Sequence, residues 1–290
     1  MAGAVPAYNA SMKSIAHALL IAISLAGLAA PAGARGPRDV AYGPDPRHRL
    51  DLYLPAGAAP AQPRKTLVFI HGGGWRRGTK DRYGFVGRAF ARAGYVVVLV
   101  NYRLYPQVRF PAFVEDAARA VAWVRGHVRR YGGDPDQIYL MGHSAGAHIA
   151  AMLALDPSYL RAAGVPRRAI GGMIGLAGPY IFRPKRLPRL APIFTAHPHP
   201  NARPVFFARN GGAKTSGGGP PLLLLSADLD AIVGRRNGPV LAEAYRRAGG
   251  RAIARSYAGI GHGQIVGAIS KFFRGLAPVV PDVVSFIGKP

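Results

Sequence analysis

The chain has 290 residues, 49% hydrophobic and 18% charged, a balance that supports a buried core and excludes a disordered polyelectrolyte tail. Thirty-eight Lys and Arg, 31 of them Arg, face only 13 Asp and Glu, for a formal net charge of +25. No cysteine is present, which excludes disulfides, thiolate catalysis and zinc ribbons.

In chain order, Met12-Lys13 precedes an apolar run, residues 15–30, and then Pro31 and Ala32-Gly33-Ala34. A basic start, an apolar stretch and a small-residue box form the pattern of a signal peptide, with Met12 as its start and cleavage after Ala34. The expectation is a periplasmic or secreted protein of residues 35–290 with a net charge of +24. Sixteen apolar residues fall short of the ~20 of a spanning helix, so a membrane anchor through residues 15–30 is the weaker alternative.

Residues 40–42 and 50–54 read as edge strands. Short aliphatic runs follow at 67–70, 95–100, 138–141, 174–176, 222–225 and 252–257; several are apolar at every position, as in strands buried on both faces of a parallel sheet. Helical patterns lie between them at 85–93, 113–130, 145–155 and 239–248, with a last one near 281–287. Phe113, Ala117, Val121, Val124 and Val128 recur at helical spacing, and Gly132-Gly133 ends that helix. Asp134-Pro135 reads as a turn before the next strand. The alternation predicts an α/β fold with a mostly parallel, doubly wound sheet. Residues 178–220, rich in Pro, Arg and Gly, interrupt it and read as a small irregular cap within one domain.

Two segments carry chemistry. Gly142-His143-Ser144-Ala145-Gly146 follows a buried strand and opens a helix. This strand–turn–helix setting is the one in which G-x-S-x-G presents a nucleophilic serine. His71-Gly72-Gly73-Gly74-Trp75 follows the strand at 67–70, and its glycines leave N–H groups free for an oxyanion. Gly73 and Gly74, with Ala145 after the serine, are the expected donors. On this architecture the acid and then the histidine follow the serine. His262, flanked by Gly261 and Gly263, is the one histidine beyond residue 199. Asp228 and Asp230 both leave the C-terminal end of the strand at 222–225, where sites of α/β sheets form. Asp230 is preferred, because Ile232-Val233 after it are expected to dock that loop on the core; Asp228 is the alternative. Trp75 and Tyr180 either line a substrate pocket or pack the oxyanion loop. His143 and His148 suit structural roles in the turn.

These motifs resemble those of α/β-hydrolase esterases with an HGGG oxyanion motif, within the group of small-cap carboxylesterases, isoprenylcysteine methylesterases and kynurenine formamidases. The resemblance runs from about Thr66 onward and rests on residues 71–75, Asn101-Tyr102-Arg103 with Pro106, Tyr131 to Pro135, Gly142 to Gly146 with His148, Asp230 with Val233, and Gly261-His262. Ser226-Ala227 departs from the His-Gly that the group more often has there. The resemblance implies a cofactor-free serine esterase acting on a small-molecule ester. An arylformamidase-like amidase with the same triad is one alternative, and a non-catalytic, basic envelope-binding protein is another.

Other patterns fail. His197-Pro198-His199 has no carboxylate around it, so no metal is expected. Residues 211–215 lack a P-loop glycine at Ala213 and precede a strand. The basic residues occur at most in pairs, such as Arg235-Arg236, which predicts no specific nucleic-acid partner and only non-specific association with anionic envelope surfaces.

Overall fold

The computed structural model describes residues 36–56, 62–183, 187–194, 201–210 and 219–290. The leader pattern of residues 1–34, the His197-Pro198-His199 run and residues 211–215 lie outside the described residues.

Eight strands form one sheet: β1 (Val40–Ala41), β2 (Arg49–Tyr53), β3 (Arg64–Ile70), β4 (Val96–Val100), β5 (Gly133–His143), β6 (Ile170–Leu176), β7 (Leu222–Ala227) and β8 (Ala252–Tyr257). Their order is β1-β2-β4-β3-β5-β6-β7-β8. β1 and β2 pair antiparallel at one edge, and every pairing from β4 to β8 is parallel. The β4 sequence Val-Val-Val-Leu-Val is buried at all five positions, because side chains alternate between two covered faces.

The helices are α1 (Gly84–Arg92), α2 (Ala112–His127), α3 (Ala145–Leu155), α4 (Pro157–Ala162), α5 (Ala191–Phe194), α6 (Pro204–Arg209), α7 (Asn237–Arg247), α8 (His262–Gly267) and α9 (Val279–Ile287). Alternate strand residues divide between two buried clusters. Val68, Ile70, Val98, Leu140 and Leu224 pack with α2, α3 and α7 on one face. Leu67, Phe69, Leu99, Met141 and Leu225 pack with α1, α8 and α9 on the other. The doubly wound α/β expectation therefore holds.

Two local expectations change. Asp134 and Pro135 lie inside β5 and not in a turn, because Gly133 already pairs with Arg64 of β3. The cap stretch contains two short helices, α5 and α6, in place of wholly irregular chain. Among the described residues no helix is long and apolar enough to cross a membrane.

Candidate active site

The sheet brings the motifs together at the C-terminal ends of its strands. Ile70 of β3 pairs with Gly142 of β5, and His143 pairs with Leu176 of β6. The His71–Trp75 loop and the turn at Ser144 therefore leave the sheet side by side. Ser144 holds φ +55° and ψ −120°, a conformation strained for a residue with a Cβ. Its N–H donates to Leu176 O at 2.9 Å, and its carbonyl accepts from His148 N–H at 3.1 Å. A Cβ at Gly142 would strike the Gly146 carbonyl, and one at Gly146 would strike Ile70 O. Both glycines are thus required by close backbone approach.

His262, the first residue of α8, reaches Ser144: Nε2 lies 2.8 Å from Oγ. Its Nδ1 lies 2.8 Å from Asp230 Oδ2. A carboxylate only accepts, so Nδ1 carries the proton and Nε2 offers its lone pair to the serine hydroxyl. Two further bonds hold the histidine. His143 Nε2–H donates to the His262 carbonyl at 2.9 Å, and Gln264 Oε1 accepts the Gly261 N–H at 2.7 Å.

Asp230 Oδ1 accepts the N–H groups of Ile232 and Val233, both at 2.9 Å. Burial alone would raise its pKa, but the His262 ring and these two amides hold the carboxyl below its ordinary value. The expected docking of Ile232-Val233 is corrected here. The Ile232 side chain is 76% exposed, and the two residues act through their backbone amides. Asp228 makes no bond to His262; its N–H donates to Tyr257 O, and its buried Oδ1 has no hydrogen-bond partner.

Gly73 and Gly74 have φ of +128° and +62°, which turns the loop after β3. The Gly73 carbonyl accepts from Arg76 and Arg77 N–H. Among the described residues the N–H groups of Gly73, Gly74 and Ala145 have no protein acceptor. Tyr102 braces the loop by donating from its hydroxyl to His71 O at 3.0 Å, with its ring stacked on His71 at 4.4 Å. The described residues contain no group of three His, Asp or Glu that could hold a metal ion.

The thermophilic esterase 2 of Thermogutta terrifontis has a solved structure similar to this one, with a TM-score of 0.70 and 26% identity over 91% of this chain and 98% of that one. The fold is that of the α/β-hydrolases. The BD-FAE family model matches residues 50–161 of this chain. Over 119 residues it is 41% identical to isoprenylcysteine alpha-carbonyl methylesterase of Arabidopsis thaliana, covering 41% of this chain and 27% of the relative. Over 213 residues it is 29% identical to esterase LipC of Mycobacterium tuberculosis, covering 68% of this chain and 51% of the relative. The chain thus spans about a quarter to a half of the length of these curated relatives.

The two candidate pocket residues are buried. Trp75 is 3% exposed and packs among Phe113, His148, Phe182 and Phe194. Tyr180 is 1% exposed, its ring wedged against Gly175 and Gly178. Of the two readings, the burial of both rings favours packing. His148 sits on the serine's helix and ties it to the cap, Nε2–H donating to Ala202 O at 2.8 Å. Burial pushes the pKa of His143 down to about 3, and those of His71 and His148 down to about 4, so all three rings are neutral. Asn237, at the start of α7, is the buried polar residue beside the site that no sequence motif marks.

Proposed function

We propose that this chain is a serine carboxylesterase that hydrolyses small or medium carboxylic esters through an acyl-enzyme on Ser144. The observation that carries the reading is the continuous hydrogen-bonded chain from Ser144 Oγ through His262 to Asp230, 2.8 Å at each link. Ser144 attacks the ester carbonyl while His262 Nε2 takes its proton. Ionised Asp230 holds the ring tautomer and stabilises the imidazolium that forms. The tetrahedral oxyanion is received by the N–H groups of Gly73, Gly74 and Ala145, which have no competing acceptor among the described residues. His262 returns the proton to the departing alkoxide, which leaves as the alcohol. Water, deprotonated by the same ring, then attacks the acyl carbon; the bond to Ser144 Oγ breaks, the ring returns the proton to Oγ, and the acid is released.

The names of the relatives, all esterases, support an ester over an amide. The leader pattern supports export to the periplasm or beyond, and the stretch 178–220 serves as the cap over the site. The excess of Arg supports weak, salt-sensitive association with anionic envelope surfaces beside the small-molecule substrate.

Hydrolysis of p-nitrophenyl esters of increasing acyl length, with formanilide alongside, tests the proposal in the purified chain and in Ser144→Ala. Turnover of short and medium esters that disappears in the variant is expected. Equal rates in both proteins, or no turnover of any substrate, would overturn it.

A further inference from the structure

The acid of the site sits on a loop with little apolar anchorage. Leu229 and Ile232, on either side of Asp230, are 64% and 76% exposed, although the carboxylate between them is buried. Burial of their side chains therefore does not hold the Ile232 and Val233 amides against Asp230. A polar clasp does. Asn237, 7% exposed, donates from Nδ2 to Val233 O at 2.8 Å and to Gly234 O at 3.2 Å. Its Oδ1 accepts from Tyr180 N–H at 2.7 Å and Ile181 N–H at 3.1 Å. The two carbonyls on one side and two N–H groups on the other fix which end of the amide is which.

Both ends of this clasp matter. On the acceptor side, the Tyr180 ring is fully buried against Gly175 of β6, so the chain leaving that strand cannot shift freely. Tyr180 O also accepts from Val205 N–H of α6 in the cap. On the donor side, Val233 is bonded at its carbonyl to Asn237 and at its N–H to Asp230 Oδ1. The amide group is planar, so its donors and acceptor point in fixed directions.

We propose that Asn237 is a positioning residue, whose buried amide fixes the Asp230 loop against the end of β6 and so keeps the carboxylate aimed at His262 Nδ1. The proposal deepens the hydrolase reading and rests on it for its kinetic consequence. Asn237 touches neither substrate nor the reacting atoms; it acts through Val233 and Asp230. The same side chain joins the acid loop to the start of the cap, so cap and acid share one anchor.

Two variants test this in the full chain. Asn237→Ala removes all four bonds. Asn237→Asp is nearly isosteric and still accepts from Tyr180 and Ile181, but it no longer donates to Val233 and Gly234. Circular dichroism establishes folding, p-nitrophenyl acetate kinetics separate kcat from KM, and the downfield proton NMR signal of His262 Nδ1–H reads its bond to Asp230 in the resting site. For Asn237→Ala, kcat falls roughly 10- to 100-fold with KM within about twofold, as expected when a reacting group is misaimed by an ångström or less. The Nδ1–H signal moves upfield or broadens in the same variant, because Asp230 no longer holds that proton in an aligned hydrogen bond. Asn237→Asp shows a comparable loss of kcat, and it carries the test if the alanine variant fails to fold. Wild-type kcat in folded Asn237→Asp would overturn the proposal, as would an unchanged His262 Nδ1–H signal in Asn237→Ala. An inactive wild type would count against the hydrolase reading alone, because the His262 Nδ1–H signal still reads the positioning.

Discussion

At the scale of single residues, scarcity singled out two carboxylates, and geometry sets one of them beside His262. With only 13 carboxylates in the chain, Asp228 and Asp230 stand out after β7. Asp230 carries the hydrogen bond to His262, and it is bonded on its other oxygen by two amides. The reason offered by the sequence for this choice, docking of Ile232 on the core, does not hold; a side chain's apolarity does not reveal that its backbone is the part used. Asn237 was invisible for a related cause, since its partners are all main-chain groups and main-chain groups leave no pattern in a sequence. The two aspartates are therefore expected to differ sharply when neutralised. Asp230→Asn offers a hydrogen-bond donor where His262 Nδ1–H needs an acceptor, favouring the wrong tautomer, and turnover falls on the order of 10²- to 10⁴-fold. Asp228→Asn keeps the Asp228 N–H bond to Tyr257 O and leaves turnover within about threefold. Rates of both variants on one short ester check this, and similar losses would refute the assignment.

At the scale of elements, the long and strongly patterned segments were legible. The buried aliphatic strands and helices α2, α3 and α7 lie within a few residues of their sequence-based limits. The six-residue helices α4 and α8 were not read, because one and a half turns give too little periodicity to separate helix from loop. β5 runs longer than its apolar stretch, since register with β3 and not hydrophobicity sets where it begins. The turn between β5 and α3 was the most legible feature, and its glycines give an element-level test. Gly146→Ala would press a methyl group onto Ile70 O, a backbone atom that cannot step aside, and is expected to destabilise the protein by about 2 kcal/mol or more. Gly126, exposed near the end of α2, has open space where a Cβ would point. Gly126→Ala is therefore expected to stabilise by about 0.5–1 kcal/mol, through the helix preference of alanine. Urea midpoints of the two variants should move in opposite directions. Equal shifts would mean that close approach at the turn does not distinguish the two positions.

At the scale of the whole molecule, the parallel α/β sheet followed from the alternation of elements, whereas the helices of residues 191–209 did not, because short Pro- and Gly-rich segments fold through tertiary contacts such as His148 with Ala202. That contact belongs to a wider arrangement. Three neutral, buried histidines each tie down one segment of the site: His71 in the loop after β3, His143 between the Ser144 turn and the His262 carbonyl, and His148 between α3 and Ala202. Their pKa values are depressed from 6.5 to about 4, 3 and 4 in that order, with burial the leading cause. The consequence for stability has a definite sign. Below pH 6.5 the unfolded chain takes up a proton at each ring, while the folded protein refuses it until about pH 4 or lower. Folding stability is therefore fully present above pH 6.5 and is lost as pH falls toward 4. Each histidine contributes a slope of about 1.4 kcal/mol per pH unit once its unfolded form is protonated, and the three together about 4 kcal/mol. Two pH units below 6.5 that loss reaches about 8 kcal/mol, comparable with a typical total of about 5–15 kcal/mol. Urea unfolding at pH 7.5, 6.5, 5.5 and 5.0 should show stability flat between the first two and falling steeply between the last two. Stability that stays level from pH 6.5 to 5.0 would show that the rings accept protons in place, and that the site is not held by keeping them neutral.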